Sequence, residues 1–222
     1  MKAVRIHAYG GGDLLVYEDA PMPSIASNEV LVRVVAASVN PVDWKIREGY
    51  LREMIPYPLP LTLGWDVSGV VEAVGAGVSR FEVGDPVFSR PDIKRNGTYA
   101  EYVAIREGEV AHKPKTISHV EAASLPLAGI TAWEALVTAA QLGPKQRVLI
   151  HAGSGGVGSL AVQLAKSRGA FVIATTSGRN LAFVKSLGAD EVIDYRTQSF
   201  EAAAKDIDVV FDTIGGDVQD SS

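Results

Sequence analysis

The sequence predicts an α/β protein whose first half is β-rich and whose second half is a doubly wound parallel sheet, incomplete at its C-terminal end. Three observations carry this. Short branched apolar runs separated by glycine turns fill the first hundred residues, and strands alternate with helical segments from Arg147 onward. Between these textures a glycine cluster at 153–158 follows an apolar strand and opens an amphipathic helix. The 222 residues, 47% hydrophobic and 21% charged, suffice for two small domains with cores of their own.

Taken in order, residues 2–7 alternate as a strand does, 30–39 are dense in valine, and 67–74 form another branched run. Glycines at 10–12, 75, 77, 84 and 97 punctuate these runs as turns, which suggests a small barrel or sandwich. Residues 55–60 carry three prolines and are expected as an extended surface connection, since proline lacks the amide donor and restricts its predecessor. From 119 the texture turns helical, with segments at 119–123 and 130–140, the second closed by Gly143 and Pro144. The boundary is expected near Ile117, giving domains 1–117 and 118–222. Beyond the glycine cluster come strands at 170–175, 191–195 and 208–213, with helices at 180–187 and 199–205 between them. With the strand at Arg147 this makes four, against the six of a complete dinucleotide-binding sheet, so the sequence reads as a fragment or an incomplete chain.

A formal net charge of −5 and the lack of any basic cluster argue against nucleic acid. No apolar run is long enough to span a bilayer, and the N-terminus carries charges where a signal peptide would be apolar, so the expectation is a cytoplasmic protein. Zero cysteines exclude disulfides, thiolate nucleophiles and thiolate zinc sites. His7, His112, His119 and His151 stand on different elements without paired ligand spacing, which favours packing or surface roles over a metal.

Gly153, Gly155 and Gly158 fit G-x-G-x-x-G. The first permits a sharp turn, the second lets a pyrophosphate approach the backbone, and the third lets helix and strand pack closely. Ser154, Gly155, Gly156 and Val157 would then hold the pyrophosphate at the N-terminus of the helix. A hydrolase reading of Ser154 fails, because G-x-S-x-G needs glycine where Ala152 stands. NAD-binding units place an acid about 20 residues after the glycines. Here residues 174–180 carry hydroxyls and Arg179 but no acid, so NADPH is expected; the other reading of Arg179 is a solvated charge in the first turn of a helix.

Gly155, Gly156, Val157 and Gly158, with Gln163 and Lys166 behind them, resemble the zinc-independent quinone oxidoreductase (zeta-crystallin-like) branch of the medium-chain dehydrogenase/reductase superfamily. Segments 37–43, 64–75, 83–87, 97–102 and 125–132 agree in order and character. The resemblance implies a GroES-like catalytic domain followed by a Rossmann domain, and hydride transfer from NADPH to a quinone or an α,β-unsaturated carbonyl. It also implies a homodimer. Zinc-dependent members place a cysteine near the position of Asn40 and a histidine at that of Trp65, and this chain has neither.

The same resemblance assigns site residues. Asn40 matches an active-site asparagine that would bond the acceptor or the nicotinamide ribose, against the simpler reading of an Asn-Pro turn. Thr131 matches a threonine near the cofactor. Ser177 and Tyr195 match positions near the 2′-phosphate, and Arg179 replaces a lysine that the family often has where Asn180 stands. Tyr50 resembles a proton-donating tyrosine of related enoyl reductases, one residue short in its spacing from Asn40. Two further readings stay open: an enoyl-thioester reductase of the same superfamily, and a non-catalytic NADPH-binding protein.

Overall fold

Alternating valines give the first unit's strands one buried and one open face, and they pair into two antiparallel sheets. The computed structural model describes residues 1–222, and the chain divides into units Met1–Leu127 and Ala128–Ser222. The first unit contains β1 (Lys2–Ile6), β2 (Val16–Asp19), β3 (Glu29–Ala37), α1 (Pro41–Arg47), β4 (Leu61–Thr62), β5 (Val67–Val74), β6 (Pro86–Ser89), β7 (Tyr102–Arg106), β8 (Val110–His112) and α2 (His119–Ala123). One sheet has the order β2-β1-β4 and the other β7-β3-β5-β6-β8. Register breaks between Leu31 and Val32 and between Val34 and Ala36, where β3 pairs with β5, are irregularities of the kind that bend a sheet. Val30, Val32, Val67, Val71, Val103 and Ile105 fill the space that the larger sheet encloses. A second cluster, Ile6, Ile46, Leu61, Leu63 and Trp65, anchors α1.

One expectation is corrected here. The proline-rich segment at 55–60 is not merely a surface connection, because Tyr57 turns into the core and its hydroxyl donates to the Ile93 carbonyl at 2.7 Å. The first compact unit extends through Leu127. Helix α2, capped by Ser118, lays Ala122 and Ala123 on β3, β5 and β6, and small side chains there allow close packing that binds it to the first unit.

Helix α3 (Pro126–Trp133) leads into the second unit and continues as a π-helical stretch, Glu134–Ala139. There follow β9 (Arg147–Ile150), α4 (Gly156–Ser167), β10 (Phe171–Thr176), α5 (Leu181–Ser186), β11 (Glu191–Asp194), α6 (Phe200–Ala203), β12 (Val209–Phe211) and α7 (Asp217–Asp220). All strands are parallel, in the order β11-β10-β9-β12, so the direction of winding reverses beside β9. Ligands of open α/β sheets bind outside the strands' carboxyl ends at such a reversal. Leu136, Val148, Ile150, Val162, Ala165 and Val172 form the core beneath α4. The fold is therefore the α/β arrangement of an antiparallel β unit and a parallel, C-terminally short Rossmann-type sheet.

Lys166 on α4 fastens the helix by donating to both oxygens of Asp190 at 2.9 and 2.8 Å, and the Val172 N–H donates to the same carboxylate at 2.7 Å. Burial by itself would raise the Asp190 carboxyl, but these donors outweigh it and hold the group below its ordinary value. A carboxyl with a depressed folded-state pKa stabilises above its unfolded pKa and loses that contribution as pH falls through the folded value. The variant Asp190→Asn is therefore expected to melt below wild type at neutral pH, with the gap closing as pH falls through and below the carboxylate range; thermal melts at stepped pH read this directly.

Candidate functional site

Strand β9 runs into His151, and the chain then reverses through Ala152 (φ 52°) to enter α4. The Gly153 N–H donates to the Thr175 carbonyl and the Gly155 N–H to the Ala152 carbonyl, both at 2.8 Å, which ties the turn to β10 and closes it. A Cβ at position 158 would stand 2.1 Å from the Ala152 carbonyl oxygen, and one at 153 would stand 2.9 Å from Ala174 Cβ. Only glycine permits the approach at 158. Gly156 faces open space, and Gly155 caps α4 with no side-chain bond. The first N–H groups of the helix have no intrahelical partners and carry its positive dipole end, which suits a phosphate.

A cleft of about 670 Å³ opens in front of this turn. It brings together the expected residues Ser154, Gly155, Ser177, Arg179 and Tyr195, with Asn180 beside them. Gly153 and Gly158 are buried beneath it, and Gly156 and Val157 form the first turn of α4. Thr131 lies exposed on α3 and is not among the residues lining the cleft. Ser154 Oγ accepts from Thr176 Oγ1 at 2.8 Å and from Asn180 Nδ2 at 3.0 Å, so both its lone pairs are occupied and its own proton is left to donate. Arg179 makes no ion pair within the chain. The one carboxylate lining the cleft, Glu201, accepts from the Ser199 hydroxyl at 2.5 Å. The donor set fits a phosphorylated dinucleotide: a glycine-rich turn for the pyrophosphate, and hydroxyls with an unpaired guanidinium at the end of β10.

The first unit holds the other candidates. Asn40 is the N-cap residue of α1 and forms a capping box with Asp43. Its amide Nδ2 donates to Asp66 Oδ2 at 2.9 Å and to Ser38 Oγ at 3.1 Å. Asp66 is fully buried and also accepts from Ser38 Oγ at 2.6 Å and from the Leu127 N–H at 2.7 Å. Asp43, likewise buried, accepts from the Asn40 N–H at 2.6 Å and from the Tyr99 hydroxyl at 2.7 Å, while its Oδ1 has no partner. Burial raises both carboxyls above their ordinary value; in each the hydrogen bonds oppose the rise without cancelling it. Tyr50 is exposed, rests edge-on against Trp44 with ring centres 5.7 Å apart, and is not joined to this network.

The roles of Asp66, Asp43 and Asn180 were not legible in the sequence. The signal for Asp66 was available: a lone carboxylate inside the apolar run from Leu61 to Val71 has to be solvated by something. The histidines are scattered. His7 meets Glu18 at 2.8 Å, His112 packs on Phe81, His119 bonds Ser68 at 2.7 Å, and His151 is buried beside Thr175 at 3.1 Å.

Comparison with known proteins adds the following. The family model described as "Alcohol dehydrogenase GroES-like domain" matches residues 26–115, and the one described as "Zinc-binding dehydrogenase" matches residues 156–222. The chain is 44% identical over 203 residues to the chloroplast envelope quinone oxidoreductase homolog of Arabidopsis thaliana, covering 89% of this chain and 62% of that protein. It thus spans less than two thirds of the length of that relative. The structure of the quinone oxidoreductase from Coxiella burnetii superposes with a TM-score of 0.90 at 41% identity, covering 98% of this chain and 70% of that one. The Escherichia coli quinone oxidoreductase complexed with NADPH gives 0.88 at 30% identity, covering 99% and 68%.

The steric demand at the turn separates two neighbouring glycines. Gly158→Ala forces α4 away from β9 and is expected to cost roughly 1–3 kcal/mol in chemical denaturation, as overpacking does. Gly156→Ala meets nothing and is expected to leave the denaturation midpoint unchanged. Equal midpoints for the two variants would contradict the geometry.

Proposed function

The chain belongs to the quinone oxidoreductase branch of the medium-chain dehydrogenase/reductase superfamily, and on that premise we propose that the complete protein uses NADPH to reduce a quinone or an α,β-unsaturated carbonyl without zinc. The observation that carries the choice of NADPH is the end of β10, where the cleft presents Ser177, Asn180 and the unpaired Arg179 and offers the 2′-phosphate no acidic neighbour on that strand. A ribose-binding carboxylate there would repel a phosphate.

The cofactor supplies a hydride when bound, and the protein's task is to hold and orient. In this reading the backbone amides of Gly156 and Val157 and the free proton of Ser154 bind the pyrophosphate. Asn180 and Thr176 fix Ser154 in place, and Ser177, Arg179 and Tyr195 surround the 2′-phosphate. Asn40 is the first unit's candidate site residue. Thr131 and Tyr50 are the remaining candidates, near the cofactor and as proton donor respectively.

The zinc-free part of the reading rests on donor chemistry. Asn40 and Trp65 stand where the resemblance places cysteine and histidine in zinc-dependent members. The Trp65 ring is fully buried among apolar side chains with its N–H directed at the Arg95 carbonyl, 3.4 Å away, and it offers no lone pair to a cation.

The complete gene product is expected to oxidise NADPH with a simple quinone or enone and to prefer NADPH to NADH. Turnover faster with crotonyl thioesters would move the assignment to an enoyl-thioester reductase, and binding without turnover across the panel would leave a non-catalytic NADPH-binding protein. In Arg179→Ala, loss of a charge-assisted bond of about 1.5–3 kcal/mol is expected to weaken NADPH at least tenfold and leave NADH unchanged. Titration of both cofactors against both proteins measures this, and equal weakening of the two would remove Arg179 from the 2′-phosphate site.

A further inference from the structure

A second cavity, of about 380 Å³, lies wholly within the first unit. Its walls come from β1, the connection 20–24, Thr62 of β4, the loop 95–97 and β7, which is the edge strand of the larger sheet. No residue of the glycine turn or of the Asn40 and Asp66 network lines it. Two guanidiniums do, those of Arg5 and Arg95, and its lining includes no carboxylate. Most of the remaining wall is apolar, with Pro21, Met22, Pro23, Val103 and Ala104 contributing.

The two guanidiniums are held on unequal terms. Arg95 donates to the buried Glu29 at 2.5 Å, a short charge-assisted bond that fixes its direction. Arg5 reaches Glu18 only at 3.3 Å and the Pro60 carbonyl at 3.2 Å, longer than well-made charge-assisted bonds, and its buried Nε has no partner in the chain. Glu18 is shared besides with His7, at 2.8 Å. A guanidinium carries five N–H donors, so Arg5 is a half-buried charge with donors to spare. A neutral donor stands beside it. Thr62 is the cross-strand neighbour of Arg5, and its N–H goes to Asn96 Oδ1 at 3.0 Å, which leaves the NH2 end of that amide to donate.

We propose that this cavity binds a small organic carboxylate, with its acid group on Arg5 and Asn96 and its apolar body against Met22 and Pro23. Planar carboxylates match the fork of a guanidinium, and a charge already partly withdrawn from water gains more from an added acceptor than an exposed one does. One negative charge suits the site better than two. Glu18 and Glu29 already offset much of the charge of the two guanidiniums, so a phosphate dianion would bring a second charge with no further guanidinium to receive it. The apolar wall then selects for a ligand with a hydrocarbon body over a bare ion.

Methionine methyl groups report on the site, because Met22 lines it and Met54 does not. In full-length protein labelled at the methionine methyl carbons, with resonances identified by their loss in Met22→Ser and Met54→Leu, millimolar benzoate is expected to shift the Met22 signal through its ring current and leave that of Met54 in place. Benzamide has the same shape without the charge and is expected to move neither. Arg5→Gln is expected to weaken benzoate about tenfold, and Met22→Ser, at an exposed position, to weaken it severalfold as followed on the neighbouring Met1 methyl. A Met22 signal unmoved by benzoate, an equal shift with benzamide, or titrations unaltered in both variants overturn the proposal. A shift produced by inorganic phosphate and not by benzoate overturns the assignment to an organic carboxylate. If Arg5→Gln fails to fold, Met22→Ser and the benzamide comparison still decide. The titrations need neither NADPH nor turnover, so their outcome is independent of the functional reading.

Discussion

The contact between α4 and the end of β9 is the constraint around which the second unit is arranged. The helix starts so close to the Ala152 carbonyl that a single added carbon at 158 would lie 2.1 Å from it. That closeness aims the helix's unpaired amides past the turn and into the cleft. It also lets Val162 and Ala165 pack on the sheet, since a helix displaced by one side chain would lose both contacts. Stability and ligand geometry are therefore coupled at one glycine. The tether from Lys166 to Asp190 secures the other end of the same helix, so α4 is fixed at both termini.

The first unit solves a different problem, that of keeping carboxylates inside an apolar shell without a positive partner. Asp66 and Asp43 are both buried, and their solvation comes from hydroxyls and amides, with Ser38, Asn40, Tyr99 and the Leu127 N–H supplying the donors. Such an arrangement is costly unless nearly every lone pair is satisfied. Its return is rigidity, because each donor so engaged loses its freedom to turn. Asn40 is held through both its backbone and its side chain.

Much of this protein was legible in its sequence because the signals are local. The four strands of the second unit follow from runs of branched residues, and the glycine turn follows from a motif whose spacing reflects the pitch of one helix. Arg179 was singled out by the acid-free end of its strand, whereas Ser177 and Tyr195 were implied by the family resemblance; the three line one cleft. The extent of the first compact unit to Leu127 was not legible. Helical periodicity marks where a helix forms but not which sheet it packs on, and the small face of α2 belongs to the first unit. Tyr57 was hidden for a similar reason: proline rules out regular structure at 55–60 without saying which way a side chain points.

The sequence by itself determined the class of fold, the glycine-rich turn between strand and helix and the absence of thiolate ligands, since these depend on composition and on neighbours a few residues apart. Only the tertiary structure decided that Asn40 donates to a buried Asp66, that Asn180 and Thr176 fill the lone pairs of Ser154, and that Arg179 stands unpaired. The hydrogen bonds among these depend on residues 22 to 26 positions apart in the chain being brought together. Hydrogen-bond direction is a property of the assembled neighbourhood, and no single residue carries it alone.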